Sequence, residues 1–210
     1  MSAIWPVEGF ITDPESKRFV EKEIVLDIDM NDYSWLREPI CACGDEKRCF
    51  CAIQRCMLRP VDGKPGVRVP TILRIHGGPA SQYSTAFSFE WQLFAAQGYA
   101  VVAGNPRGST GYGRDFSYAL FAKWGEPDFD DEMAVVDHAI ALGVADPDRL
   151  GVGGWSYGGI LTNQIIVRTS RFKAATSGAS ASNALAGYGT DHYQYEYEAE
   201  LGLPWKNSEA

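Results

Sequence analysis

The sequence predicts an α/β fold in which a mostly parallel β-sheet is covered by helices on both faces. Two observations predict it. Short apolar runs, typical of buried strands, alternate along the chain with longer segments whose apolar residues recur at helical spacing. In addition, a glycine-rich turn at residues 154–159 joins one such strand directly to one such helix.

Composition and charge support a folded domain and exclude several functions. Hydrophobic residues make up 45% of the 210 residues, which is enough for a sizeable core. The 27 acidic side chains outnumber the 19 basic ones, so no basic stripe is expected to attract nucleic acid or an anionic membrane. No apolar run approaches the roughly 18–20 residues that a membrane-spanning helix needs. We therefore expect neither nucleic acid nor a membrane as a partner.

Five cysteines lie close together, and their odd number does not fit a disulfide framework. They are Cys41, Cys43, Cys49, Cys51 and Cys56. The Cys-x-Cys pairs at 41–43 and 49–51 could be thiolate ligands for zinc, but a structural zinc site usually spaces its ligand pair by about two to four residues and adds a second, distant pair, which is absent here. We expect reduced cysteines, no metal or other cofactor, and a cytoplasmic location.

The chain is predicted to divide into an irregular N-terminal segment, residues 1–50, and a partial α/β domain, residues 51–210. The first segment is mainly polar, and only residues 23–29 alternate in the manner of a strand. In the domain, apolar runs bounded by turn residues predict strands. These runs are residues 52–60, 69–75, 99–103, 150–154 and 172–176.

Helices are predicted between these strands. Apolar residues recur at helical spacing over 87–97, and Gly98 is typical of a helix end. A second helix carries the acidic residues 130–132 at its N-terminus, where negative charge meets the positive end of the helix dipole, and it ends at Gly143. A third helix is predicted over 160–167.

The most informative motif is Gly154-Trp155-Ser156-Tyr157-Gly158-Gly159, which matches the G-x-S-x-G pattern of a nucleophile elbow. The chain must reverse from strand to helix within a few residues, and glycines two before and two after the serine remove side chains that would collide. Ser156 is then presented above the sheet at a helix N-terminus, where backbone N–H groups favour developing negative charge. We predict that Ser156 is a catalytic nucleophile. The alternative is a glycine-rich turn that happens to contain serine.

A second glycine-rich turn, His76-Gly77-Gly78-Pro79, follows the predicted strand at 69–75. In acyl-transfer enzymes of the α/β-hydrolase type, such a turn offers a backbone N–H to the oxyanion, and the residue after the nucleophile, here Tyr157, offers the second. Each donor contributes about 3 kcal/mol of transition-state stabilisation. We interpret His76 itself as a residue that orients the loop and not as a base.

Nucleotide binding is a weaker interpretation of these glycines. Residues 151–156 begin like the dinucleotide motif G-x-G-x-x-G, but serine replaces the last glycine and no acidic residue follows at the expected interval. The loop at 108–113 has its glycines in the wrong order for a phosphate cradle, and neither loop holds the Gly-Lys-Ser/Thr of a P-loop.

Three blocks together resemble the prolyl oligopeptidase family of serine peptidases, and more closely its acylaminoacyl-peptidase and dipeptidyl-peptidase branch. They are HGGPASQY, NPRGSTGYG and GWSYGG, which begin at residues 76, 105 and 154, and a fourth segment over 189–205 also resembles that branch. The resemblance implies an α/β-hydrolase catalytic domain that hydrolyses oligopeptides through a serine acyl-enzyme. It implies that Ser156 is the nucleophile and that Gly78 and Tyr157 are the backbone oxyanion donors.

The sequence also departs from the family pattern. The triad of this fold runs Ser, then Asp or Glu, then His along the chain, so both partners are expected beyond the strand at 172–176. His138 precedes Ser156, and neither Asp191 nor His192 fits the expected positions. The sheet is therefore expected to lack its C-terminal strands. Because a serine without its base is a weak nucleophile, the isolated chain is expected to be inactive.

Two alternatives to a peptidase stay open. A carboxylesterase or lipase of this fold uses the same elbow. A non-catalytic remnant that acts as a binding module is favoured by the missing triad partners. An incomplete sheet would also leave a strand edge unpaired, so self-association into a homo-oligomer is a further expectation.

Overall fold

The structure is a computed structural model, and it describes residues 8–12, 19–23, 55–60, 66–84 and 86–206. Strands β1 (Glu8–Thr12) and β2 (Phe19–Glu23) pair antiparallel in a two-stranded sheet. In these two segments the structure differs from the irregular conformation predicted for residues 1–50, because both contain the aromatic and β-branched residues that favour strands. Most of the predicted strand at 23–29 and the cysteines from 41 to 51 lie outside the described residues.

The main sheet of the described chain has five strands in the order β3-β5-β4-β6-β7. Strand β3 runs antiparallel to β5, and all other neighbours are parallel. Strand β5 is buried at every position, as expected for a central strand covered on both faces. The strands are β3 (Arg55–Leu58), β4 (Val69–Ile75), β5 (Ala100–Gly104), β6 (Ala145–Trp155) and β7 (Phe172–Gly178).

Six helices accompany this sheet in the described residues: α1 (Phe89–Ala96), α2 (Arg114–Tyr118), α3 (Pro127–Ala141), α4 (Tyr157–Arg168), α5 (Ala184–Thr190) and α6 (Gln194–Leu201). Helix α3 begins before the predicted acidic N-terminus at 130–132. The reason is Pro127, whose missing N–H costs nothing in the first turn of a helix and whose fixed φ suits that position. Asp128 thereby enters the first turn as well.

The main hydrophobic core lies between one face of the sheet and helices α3 and α4. Successive strand residues point to opposite faces, so the other face can be located from Arg74. Its side chain bonds to Glu90 of α1 at 2.9 Å, whereas Leu73 and Ile75 join the main core. Helices therefore cover both faces, as predicted. The buried core residues include Leu73, Ile75, Val102, Val135, Val136, Leu150, Val152, Tyr157, Leu161 and Ile165.

In the part of the chain that the structure describes, every helix is too short or too polar to traverse a lipid bilayer.

Candidate active site

Ser156 lies at a sharp turn between the end of β6 and the start of α4. Its backbone has φ 57° and ψ −121°, a conformation that non-glycine residues rarely adopt. The N–H of Ser156 donates to the carbonyl of Gly178 at 2.9 Å, and the carbonyl of Ser156 accepts from the N–H groups of Gly159 and Ile160 at 2.9 and 3.1 Å. The turn is thus held from both the neighbouring strand and the following helix, while Ser156 itself is exposed.

Two glycines permit this turn because the main chain passes close to itself. A Cβ on Gly154 would lie 2.4 Å from the main chain of Gly158. A Cβ on Gly158 would lie 2.3 Å from the carbonyl oxygen of Ile75 in β4. Real Cβ atoms do not approach backbone this closely, so the spacing of the G-x-S-x-G motif follows from the packing of β6, α4 and β4.

The glycine-rich turn at 76–79 lies beside Ser156. A Cβ built on Gly77 would be 3.5 Å from the Cβ of Ser156. Gly78 is exposed and has φ 126°, a backbone conformation that favours glycine. Because β4 and β6 are parallel neighbours, with Ile75 paired to Gly154, the turn and the elbow meet at the carboxyl edge of the sheet, where α/β proteins usually bind ligands.

His76 is buried and braces two loops against each other. Its Nδ1 donates to the carbonyl of Gly77 at 2.7 Å, and its Nε2 lies 3.0 Å from Oγ of Ser109. Burial lowers the pKa of His76, and the hydrogen bond to Gly77 opposes this in part. Ser109 in turn donates to the carbonyl of Pro106 at 2.6 Å. The imidazole therefore connects the turn at 76–79 with the loop at 105–113.

A charged pair fixes the loop at 105–113 to α3. The side chain of Arg107 donates from Nε and Nη2 to the two carboxylate oxygens of Asp131, at 2.9 and 2.8 Å. The backbone N–H of Arg107 donates to the same carboxylate at 2.8 Å. Asn105 on the same loop accepts from the N–H of Tyr83 at 2.7 Å, so the segment after the 76–79 turn is held too.

Tyr157, the residue after the exposed Ser156, is buried. Its phenol donates to the carboxylate of Asp128 in the first turn of α3, and its ring meets that of Trp124 edge-on at a centroid distance of 4.9 Å. Burial raises the pKa of Asp128 to about 6, although the bond from Tyr157 lowers it in part. The sequence does not single out Asp128, because an acidic residue at the start of a helix is typical of any helix N-terminus.

The described histidines do not supply a base for Ser156. His76 is engaged with Gly77 and Ser109, as above. His138 lies in the last turn of α3. The imidazole of His192 is largely exposed beside Asp191, with Nδ1 3.4 Å from the carboxylate. Asp191 accepts hydrogen bonds from the phenol and backbone of neighbouring tyrosines, at 3.0 and 3.1 Å, and so serves the α5–α6 connection.

A comparison with known families decides the classification of the chain. The sequence model of the Prolyl oligopeptidase family matches residues 85–210, more than half of the chain. The chain belongs to the prolyl oligopeptidase family. The resemblance to this family is thereby confirmed, and the motifs at 105–113 and 154–159 lie within the matched residues.

Two relatives show how similar this chain is to other peptidases of the prolyl oligopeptidase family. The uncharacterized peptidase YuxL of Bacillus subtilis is 46% identical over 140 residues, which are 66% of this chain and 21% of YuxL. The acylamino-acid-releasing enzyme of Arabidopsis thaliana is 41% identical over 109 residues, 51% of this chain and 14% of the plant enzyme. The chain thus spans about a fifth or less of the length of these relatives.

Solved structures of the family share the fold. The acylaminoacyl peptidase of Pyrococcus horikoshii has a TM-score of 0.69 and 32% identity, over 75% of this chain and 26% of the archaeal chain. A puromycin-hydrolyzing peptidase of Mycobacterium tuberculosis has a TM-score of 0.67 and 32% identity, over 75% and 26% of the two chains. The architecture is that of a partial α/β-hydrolase domain, as the sequence predicts.

Proposed function

We propose that this chain forms the core of a serine peptidase catalytic domain that hydrolyses oligopeptides, with Ser156 as the nucleophile. The observation that carries the proposal is the conformation of Ser156. It is an exposed serine with positive φ, held between a strand and a helix beside the glycine turn at 76–79. Membership in the prolyl oligopeptidase family supports the same chemistry.

In the proposed reaction, Oγ of Ser156 attacks the carbonyl carbon of the scissile peptide bond. The electron pair of the C=O bond moves to oxygen, and this oxyanion accepts hydrogen bonds from the N–H groups of Gly78 and Tyr157. Each such donor contributes about 3 kcal/mol to the stability of the transition state. Collapse of the intermediate breaks the C–N bond while the base passes the Ser156 proton to the leaving nitrogen, so that an amine departs and an acyl group remains on Ser156. Water then attacks this ester, which releases the carboxylic acid and restores the serine hydroxyl.

The proton of the Ser156 hydroxyl requires a base. In this fold the triad histidine comes after the acid, and both follow the strand that succeeds the elbow helix. Among the described residues, β7 is that strand, and neither His76 nor His192 is hydrogen-bonded to Ser156. We therefore propose that turnover needs triad partners that the described residues do not supply, and that the 210-residue chain alone has at most residual activity.

A chimaera with YuxL tests the proposal. The 140 aligned residues of this chain replace their counterparts in the Bacillus subtilis peptidase, whose remaining sequence supplies the rest of the domain. We expect hydrolysis of short peptide anilides, and we expect Ser156→Ala to reduce kcat at least about a thousandfold. Ser170→Ala is the matched control, since Ser170 is an exposed serine beyond the end of α4, and it should leave kcat unchanged.

The substrate series separates the peptidase from its alternatives. Peptide anilides are expected to be turned over in preference to short acyl esters, in line with relatives that are named as peptidases. A chimaera that cleaves only esters would establish the carboxylesterase or lipase alternative. A folded chimaera whose hydrolysis rates do not change in Ser156→Ala would favour the alternative that the chain is a non-catalytic binding module.

We also propose a cytoplasmic location and self-association. An odd number of closely spaced cysteines supports the location, because secreted domains pair theirs in disulfides. Strand β7 supports self-association, because it ends the described sheet and most of its residues are exposed. Cell fractionation tests the first statement. Sedimentation velocity of the chain tests the second, and a monomer at micromolar concentration would contradict it.

A further inference from the structure

A buried hydrogen bond links the start of α4 to the start of α3. Asp128 is 0% and Tyr157 2% exposed, and the phenol of Tyr157 donates to Oδ2 of Asp128. The other oxygen of Asp128, Oδ1, has no hydrogen-bond partner among the described residues. A carboxylate is costly to bury unless it accepts hydrogen bonds, and here the bond from the Tyr157 phenol, together with bonds from nearby backbone N–H groups, offsets part of that cost.

The opposite end of Tyr157 is the amide that follows Ser156. The orientation of this amide depends on ψ of Ser156 and φ of Tyr157, and Ser156 has a strained backbone. Such strain persists only where the surroundings fix the chain. With its phenol bonded to Asp128 and its ring against Trp124, Tyr157 has little freedom to rotate. The side chain therefore restrains the direction of its own N–H.

Hydrogen bonds also fix the loop that precedes α3, which packs beside the bond between Tyr157 and Asp128. Trp124 is hydrogen-bonded to the carboxylate of Glu200, and the N–H of Ala122 donates to the backbone carbonyl of Glu200 at 2.8 Å. The far end of α4 is attached to the same loop, because Arg168 donates to the carbonyl of Gly125. Helix α4 is thus fixed at its first turn by Asp128 and at its last turn by the loop that precedes α3.

We propose that Asp128 is a positioning residue, which holds the amide of Tyr157 in the direction needed to bind the oxyanion. The inference rests on the proposed function, since it assigns a use to the Tyr157 N–H. The hydrogen bonds of Asp128 reach neither Ser156 nor the turn at 76–79, so its proposed effect on the site is transmitted through Tyr157.

The charge state of Asp128 gives this link a pH dependence. Burial raises its pKa to about 6. Above that pH a carboxylate accepts the phenol proton in a charge-assisted bond, and below it a neutral acid accepts more weakly. The other ionisable groups that face the pair are Arg107, Asp131 and Glu132 around Asp128, and Glu200 near Tyr157.

Nitrogen-15 NMR of the complete 210-residue chain tests the inference without any need for turnover. We expect the amide resonance of Tyr157 to shift with pH with a midpoint near 6, the value to which burial raises the pKa of Asp128. In Asp128→Asn the resonance should move from its parent position and lose that titration. Asp130→Asn, an exposed acid in the same helical turn, is the matched control and should leave both features unchanged.

Tyr157→Phe provides a second variant, which keeps the ring contact with Trp124 and removes only the phenol. It should abolish the titration at amide 157 even if Asp128→Asn does not fold. An amide resonance that titrates in Tyr157→Phe as in the parent would overturn the inference, as would a folded Asp128→Asn with the parent position and titration. Failure of the proposed function is read separately, from the reactivity of Ser156 in the chimaera.

Discussion

The N–H of Ser156 donates a hydrogen bond to the carbonyl oxygen of Gly178, 2.9 Å away, so the end of strand β7 holds the elbow residue of the neighbouring strand. Two segments outside the motif fix the elbow, β4 through the close approach of Ile75 to Gly158 and β7 through this bond, and the first turn of α4 holds it from within the motif. The reactive geometry proposed for Ser156 is therefore a property of the packed sheet and not of the six-residue motif alone.

Gly158→Ala should disrupt the elbow. The new Cβ would lie 2.3 Å from the carbonyl oxygen of Ile75, and backbone must move to relieve the collision. We expect the free energy of unfolding to fall by about 1–3 kcal/mol, as measured by urea denaturation of the chain.

Gly189→Ala is the control for this prediction, because no atom lies within 4 Å of the Cβ position and the residue belongs to helix α5. That variant should be unchanged or more stable by up to about 1 kcal/mol. Equal stability losses in the two variants would show that Gly158 has no special packing role.

Glu132→Met should stabilise the protein at neutral pH. Glu132 is fully buried, and neither carboxylate oxygen has a hydrogen-bond partner among the described residues. Removal of an unpartnered buried polar group should raise the free energy of unfolding by about 1–3 kcal/mol in urea denaturation at pH 8. A Glu132→Met variant that is less stable than the parent at pH 8 would contradict the conclusion that the buried Glu132 carboxylate destabilises the fold.

The same residue predicts how stability depends on pH. Burial, with the nearby charges of Asp131 and Asp128, raises the pKa of Glu132 well above its usual value. The folded state therefore binds more protons than the unfolded state between the two pKa values, and stability falls as pH rises through that window. Glu132→Gln should flatten the loss of stability between pH 5 and pH 8, whereas Asp148→Asn, an exposed acid, should leave the slope as it is.

Asp131→Asn should loosen the loop at 105–113. The variant loses the charge partner of a partly buried Arg107 that donates three hydrogen bonds to this carboxylate, and we expect about 3 kcal/mol of destabilisation. Asp146→Asn breaks an exposed ion pair with Arg149 of similar length and should give no measurable change. Thermal melts of the two variants provide the comparison, and similar melting temperatures would contradict it.

The features that the sequence predicts well are those set by local chain requirements. Strand β4 and the centre of β5 were predictable because each is a compact apolar run. The elbow at 154–159 was predictable because a sharp strand-to-helix turn needs glycines at fixed distances from the serine. Strand β6 begins at Ala145, earlier than its apolar run, because pairing with Val69 of β4 extends it across the turn-like residues 146–149.

The features that the sequence does not reveal depend on contacts across the fold. Asp128 and Tyr157 are 29 positions apart, and only the packing of α3 against α4 brings them together. The burial of Glu132 has the same origin, since an acid near a helix start is expected to be exposed. The apolar residues of helices α5 and α6 do not recur at helical spacing. The two helices contact each other through aromatic rings, such as those of Tyr188 in α5 and Tyr197 in α6.

The role of Ser156 as nucleophile is tested most directly by mass spectrometry of the YuxL chimaera after reaction with a fluorophosphonate. Trypsin releases residues 150–168 as one peptide, in which Ser156 is the sole serine. We predict that this peptide gains the mass of the phosphonyl group in the folded chimaera and that the gain is lost in Ser156→Ala and after denaturation. A folded chimaera whose 150–168 peptide stays unmodified under the same conditions would contradict the assignment.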